Sequence, residues 1–183
     1  KEADILLVNV KDSKNLVPAL TSKQVDAWVG PSPHPEVAVT SGLGNIVLDM
    51  KDMPPKGQWE EFPCCVATAS QEMIDNHPEI VQAFTDILTK ASAFAMEQPE
   101  VLAQDLSAWC GIDLEAAKKN AVVFTTEPNE NWFRGESIIY DALKDTDKLT
   151  DQLKDTDFET AKESLFQFSF VEKSLQKLSQ GSI

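Results

Sequence analysis

The first fifty residues alternate between short apolar runs and polar, helix-like stretches, and this alternation constrains the fold more than any other feature of the chain. ADILLVNV, residues 3–10, is nearly continuous in Ile5, Leu6, Leu7, Val8 and Val10, the pattern of a central strand covered on both faces. A helix is expected over about 15–20, and VDAWV, residues 25–29, returns to the extended pattern. A short helix into Gly42 then leads to NIVLDM, residues 45–50. Strand, helix and strand joined by short connections predict an α/β fold with a parallel or mixed sheet. KDMPPKGQWEEF reads as a polar loop, and FPCCVATA, residues 62–69, as one further extended apolar segment.

Beyond residue 70 helices dominate. Asn76 and Glu79 have the spacing of a capping box, and Pro78 falls in the first turn, where its missing N–H costs nothing. Ile80, Val81, Ala83, Phe84, Ile87, Leu88, Ala91, Phe94 and Ala95 then hold one apolar face over four turns, in which Phe84, Ile87, Leu88 and Phe94 are expected to be buried core. Pro99 opens a second helix that Gly111 closes, and Asp113 caps a third. AVVFTTEP is a brief strand or extended link. NWFRGESIIYDALKDTDKL and FVEKSLQKL read as amphipathic helices, with two DTD triplets as caps in the acidic connection between them.

Charge narrows the range of partners. Thirty acidic against sixteen basic residues leave a net charge of -14, which repels phosphate backbones and anionic membrane surfaces, so nucleic acid is not an expected partner. No apolar run approaches the roughly 18–20 residues needed to span a bilayer. Cys64, Cys65 and Cys110 form neither a CxxC pair nor an even disulfide framework. Adjacent residues of a strand point to opposite faces, so Cys64 and Cys65 are not expected to share one metal ion. Two histidines, His34 and His77, with no serine or cysteine placed beside them by spacing, do not suggest a catalytic triad.

The succession of PALTSKQVDAWV, a short helix to SGLGNIVLDM, FPCCVATASQEMIDNHPEIVQAFTDILTKASAF, EQPEVLAQDLSAWCGI and FQFSFVEKSLQKL resembles the nitrate, sulfonate and taurine type of ABC-transporter solute-binding proteins. The resemblance implies a type II periplasmic-binding-protein fold, with a helix-rich C-terminal half and a solute held between two α/β lobes. On that pattern residues 1–61 are the later half of lobe two, 62–69 a crossing hinge strand, and 70–183 the helical remainder of lobe one. The family's opening segment has no counterpart, so the chain is expected to be truncated or proteolysed, or to have its sheets completed by another chain. The implied role is non-enzymatic: capture of a small organic or sulfonate- or nitrate-like solute for a membrane permease, in the periplasm or anchored at the cell surface, without cofactor or metal. The enzymes that make the thiamine pyrimidine share that fold and carry a richer cysteine cluster near Cys64 and Cys65. An iron enzyme of that type is the alternative, and a ligand-sensing domain keeping only the fold is a third.

In such folds ligands sit where strands lead into helix N-termini. GPSPHPE is placed there, which nominates Trp28, Gly30, Pro31, Ser32 and His34 as ligand-binding residues, with Cys64 from the crossing strand. Pro33 and Pro35 remove two backbone donors from that helix start, so Ser32, His34 and the Trp28 ring suit a small organic solute better than a bare oxyanion. The structural alternative is that Ser32 caps a helix and Trp28 packs against one. Trp132, Phe133 and Arg134 form an aromatic and basic cluster whose expected role is surface packing.

Overall fold

The computed structural model describes residues 4–60, 63–120 and 122–183. Among them it holds nine α-helices: α1 (Leu16–Thr21), α2 (His34–Thr40), α3 (Gln71–Asn76), α4 (Pro78–Glu97), α5 (Pro99–Cys110), α6 (Leu114–Lys118), α7 (Glu130–Asp145), α8 (Phe158–Leu165) and α9 (Ser169–Ser179). The chain divides into two compact units, one of Lys1–Val47 with Ala95–Val123, the other of Leu48–Phe94 with Phe124–Ile183. No helix among the described residues is long and apolar enough to cross a membrane.

In the first unit α1 packs on α2, and α6 on both α2 and α5. The buried positions are mostly alanines: Ala19, Ala38, Ala103, Ala116 and Ala117, with Leu16 beside them. Small side chains let short helices approach closely but bury little apolar area each. The local signals act as expected around α5 and α6. Gly111 adopts the left-handed conformation, φ 65°, that ends α5, and Asp113 accepts the Glu115 N–H at the start of α6.

The second unit has the larger side chains. Tyr140, Leu149, Phe158 and Ala161 form a buried cluster flanked by Phe133, Leu153 and Phe166. Trp132 is buried and meets Phe133 and Phe166 edge-on, with centroids 5.2 and 5.1 Å apart. Such pairs add roughly 0.5–1.5 kcal/mol beyond area burial. The Tyr140 hydroxyl donates to the Leu153 carbonyl at 2.7 Å, tying the 3₁₀ turn Asp151–Asp155 to α7. Asn129 caps α7 and Asp157, from the second DTD triplet, caps α8. Trp132 and Phe133 therefore belong to the core of this unit, and Arg134 donates to the Gly57 carbonyl at 2.9 Å.

The α/β expectation is corrected. Among the described residues there is no strand and no sheet, which overturns the two-lobed type II periplasmic-binding-protein fold. The resemblance to nitrate, sulfonate and taurine solute-binding proteins and to thiamine-pyrimidine synthases falls with it. A strand exists only when its N–H and C=O groups find a ladder partner. The runs at 5–10, 25–29, 45–48, 63–69 and 122–125 find none and remain irregular; Ala3, Phe62 and Ala121, which flank or open three of them, lie outside the described residues. Their apolar side chains are not covered: Leu6 is 88%, Leu7 77% and Val47 92% exposed. The start of α4 also differs from expectation. Asn76 ends α3 instead of capping α4, and it is Ser70 that caps α3, accepting the Met73 N–H.

A direct consequence is measurable. Leu7→Lys changes the free energy of unfolding, read by chemical denaturation, by no more than about 0.5 kcal/mol, as exposed substitutions do. In a buried central strand the same change would cost several kcal/mol.

Candidate functional site

The residues singled out at GPSPHPE lie in the first unit. Ser32 does not cap α2: its hydroxyl donates to Glu36 Oε1 at 2.7 Å, and Pro33 occupies the cap position without a side-chain bond. The His34 N–H is taken by the Pro31 carbonyl at 3.2 Å, so this helix start offers no free backbone donor there. Gly30 and Trp28 are in contact, because a Cβ on Gly30 would stand 3.1 Å from the Trp28 ring and 2.4 Å from Leu16 Cδ1. Trp28, Gly30, Ser32 and His34 are half-buried, and Pro31 is exposed. Cys64 belongs to the second unit and is exposed.

Sequence reasoning missed a polar clamp between α4 and α9 in the second unit. Asp86 Oδ1 accepts the Ser174 hydroxyl at 2.6 Å and the Gln82 amide at 2.9 Å, and Oδ2 accepts Lys177 Nζ at 2.5 Å. The Gln82 amide nitrogen also reaches Ser174 Oγ at 2.9 Å and the Phe170 carbonyl at 3.0 Å. Reversing that amide would turn its oxygen toward the Asp86 carboxylate, so the network fixes its orientation. Ser174 is 0% exposed, and the Asp86 side chain only 15%. The signal was present as an i, i+4 pair on α4, Gln82 and Asp86, opposite an i, i+3 pair on α9, Ser174 and Lys177. Nothing in the sequence aligned the two helices.

Chemically the clamp is a brace. A Ser, Lys and Asp grouping invites a nucleophile reading, but Ser174 donates to a carboxylate and no substrate reaches a hydroxyl with no exposed surface. Beside it lies a groove of about 440 Å³ lined by Glu79, Gln82, Phe170, Lys173 and Gln176 among others. Its volume is within the range of small-molecule sites, but it is an open surface groove whose lining side chains are mostly charged or amide, where such sites are enclosed. Lys177 is engaged by Asp86, and Lys173 Nζ lies 5.7 Å from the centre of the Phe170 ring.

The face of α4 away from the clamp is apolar and uncovered. The expectation that Phe84, Ile87, Leu88 and Phe94 are core is corrected: with Ile80 they are 37–66% exposed, and at 100° per residue they fall on the side opposite Gln82 and Asp86.

Solute capture between lobes, completion of those lobes by a missing segment or second chain, and docking of a permease all presuppose sheets that the described residues lack. A sensing domain that keeps the same fold is excluded on the same ground. For an iron enzyme at Cys64 and Cys65, no group of three or more His, Cys, Asp or Glu residues able to hold a metal occurs among the described residues.

The clamp makes stability depend on acid in a defined window. Hydrogen bonds from Lys177 first and Ser174 next lower the Asp86 carboxyl from 3.8 to about 2. A carboxyl depressed in the folded state contributes fully above its unfolded value, and the contribution is lost as pH falls through the folded one. Asp86→Asn therefore lowers stability at neutral pH by roughly 1–2 kcal/mol and flattens the loss between about pH 4 and pH 2. Chemical denaturation followed across that range checks both effects.

Comparison with known proteins gives one match. No curated protein and no solved structure matches the chain. Residues 1–110 match the model of the NMT1-like family. Since those residues make up more than half of the 183, the chain belongs to the NMT1-like family.

Proposed function

We propose that this chain is a non-catalytic, self-associating helical module in which the outer face of α4 packs antiparallel on the same face of a second copy. The observation that carries this reading is the uncovered apolar stripe on the longest helix, Ile80, Phe84, Ile87, Leu88 and Phe94. It runs about 21 Å along the axis at 1.5 Å per residue. The exposed part amounts to on the order of 500 Å² of apolar side chain, the size at which a patch on a monomer marks an interaction site. A standard interface buries about 800 Å² on each side, so the stripe supplies the greater part of one and its borders the rest.

The spacing favours a second copy over an unrelated partner. The stripe is close to symmetric about the midpoint between Ile87 and Leu88. In a two-fold antiparallel pair, Phe84 of each copy falls opposite Ala91 of the other, and Ile87 opposite Leu88. Large against small is the complementarity that close helix packing needs, and an isologous contact closes on itself as a dimer. The clamp supports the same reading, because it holds α4 from its inner side and leaves the stripe outward.

Sedimentation equilibrium tests the proposal. The wild-type chain is expected to dimerise, and Phe84→Glu to raise the dissociation constant at least about tenfold by placing a charge at the centre of the contact. Each copy carries a charge of -14, so added salt is expected to strengthen the dimer by screening repulsion. A wild-type chain that remains monomeric at all concentrations, or a dimer indifferent to Phe84→Glu, overturns it.

A further inference from the structure

Cys64 and Cys65 were expected to diverge, as neighbours on a strand do. The segment is irregular instead, and its two sulfurs lie 3.7 Å apart with the Cys65 thiol directed at Cys64 Sγ. Both side chains are exposed and both thiols are free. The third cysteine, Cys110 at the end of α5, is also free and exposed and lies in the other unit. The chain therefore carries one paired thiol site and one internal monothiol control.

We infer that Cys64 and Cys65 form a bidentate site for trivalent arsenic, with both sulfurs bonded to one arsenic atom. Two soft sulfur donors select thiophilic centres. The pair has no third His, Cys, Asp or Glu ligand among the described residues, so it falls short of the four-ligand shell of structural zinc. An organoarsenous acid needs only two sulfurs, because its organic substituent fills the third position.

The step balances without an oxidant. Each thiol sulfur forms an As–S bond, each As–OH bond breaks, and each thiol proton leaves with its hydroxyl as water. Two waters are released and arsenic remains trivalent. With the sulfurs already close, formation of the second bond is intramolecular, and this is the source of the advantage over a single thiol.

The test treats the full reduced chain with phenylarsine oxide, which hydrates to the arsenous acid, in excess glutathione and reads the intact mass. One phenylarsenic group per chain is expected to survive the monothiol and to be removed by 2,3-dimercaptopropanol. Cys64→Ser and Cys65→Ser are each expected to reduce the retained adduct at least tenfold, whereas Cys110→Ser leaves it in place. All three positions are exposed, so the serine variants keep the fold, and unchanged far-ultraviolet circular dichroism verifies this. An adduct that glutathione strips from the wild type, that survives in Cys64→Ser, or that disappears in Cys110→Ser overturns the inference.

Discussion

The Asp86 carboxylate joins α4 to α9 through three donors from three side chains: Ser174, Gln82 and Lys177. A nearly buried carboxylate is tolerated only when its lone pairs are occupied, and here they are occupied by groups from both helices. The second unit depends on this because α4 has no apolar partner on its outer side. Its longest helix is held by polar contacts on one face and left bare on the other. Helices in proteins owe most of their stability to tertiary contacts rather than to propensity, and the clamp gives α4 a fixed orientation from which a bare face can act.

The helical part of this structure was legible in the sequence where the signals are local. Pro99 and Gly111 bracket α5 and Asp113 caps α6, and the helix expected from Pro78 onward is α4, although the Phe84, Ile87, Leu88 and Phe94 side chains expected in its core are exposed. Each of these depends on residues within a turn or two of one another. The capping box at Asn76 and Glu79 failed because the adjacent Ser70 signal started α3 first, which leaves Asn76 at that helix's end. The strand expectations failed for a different reason. ILLV and NIVL state a preference for apolar surroundings and extended backbone, but a ladder needs a distant partner in register, and periodicity contains no information about it.

The candidate sites show the same division. Trp28, Ser32 and His34 were nominated through the fold they were thought to occupy. In the structure Ser32 bonds to Glu36, and the His34 N–H is taken by Pro31. The Asp86 clamp was hidden because it joins residues 88 to 92 positions apart. The cysteine pair was read with strand geometry, and once the strand is absent its two sulfurs converge. An apolar stripe turned outward on α4 and a dithiol on an irregular segment thus have a common origin, in residues whose expected neighbours are not found among the described residues.

The central claim is that Asp86 and α9 hold α4 in place. A double-mutant cycle measures this directly: Asp86→Asn, Ser174→Ala and the double variant, each unfolded by denaturant at neutral pH. Coupling of at least about 1 kcal/mol is expected between two groups joined by a charge-assisted hydrogen bond inside one network. Strictly additive effects would mean that the two side chains do not meet and that α4 is not fixed by this contact.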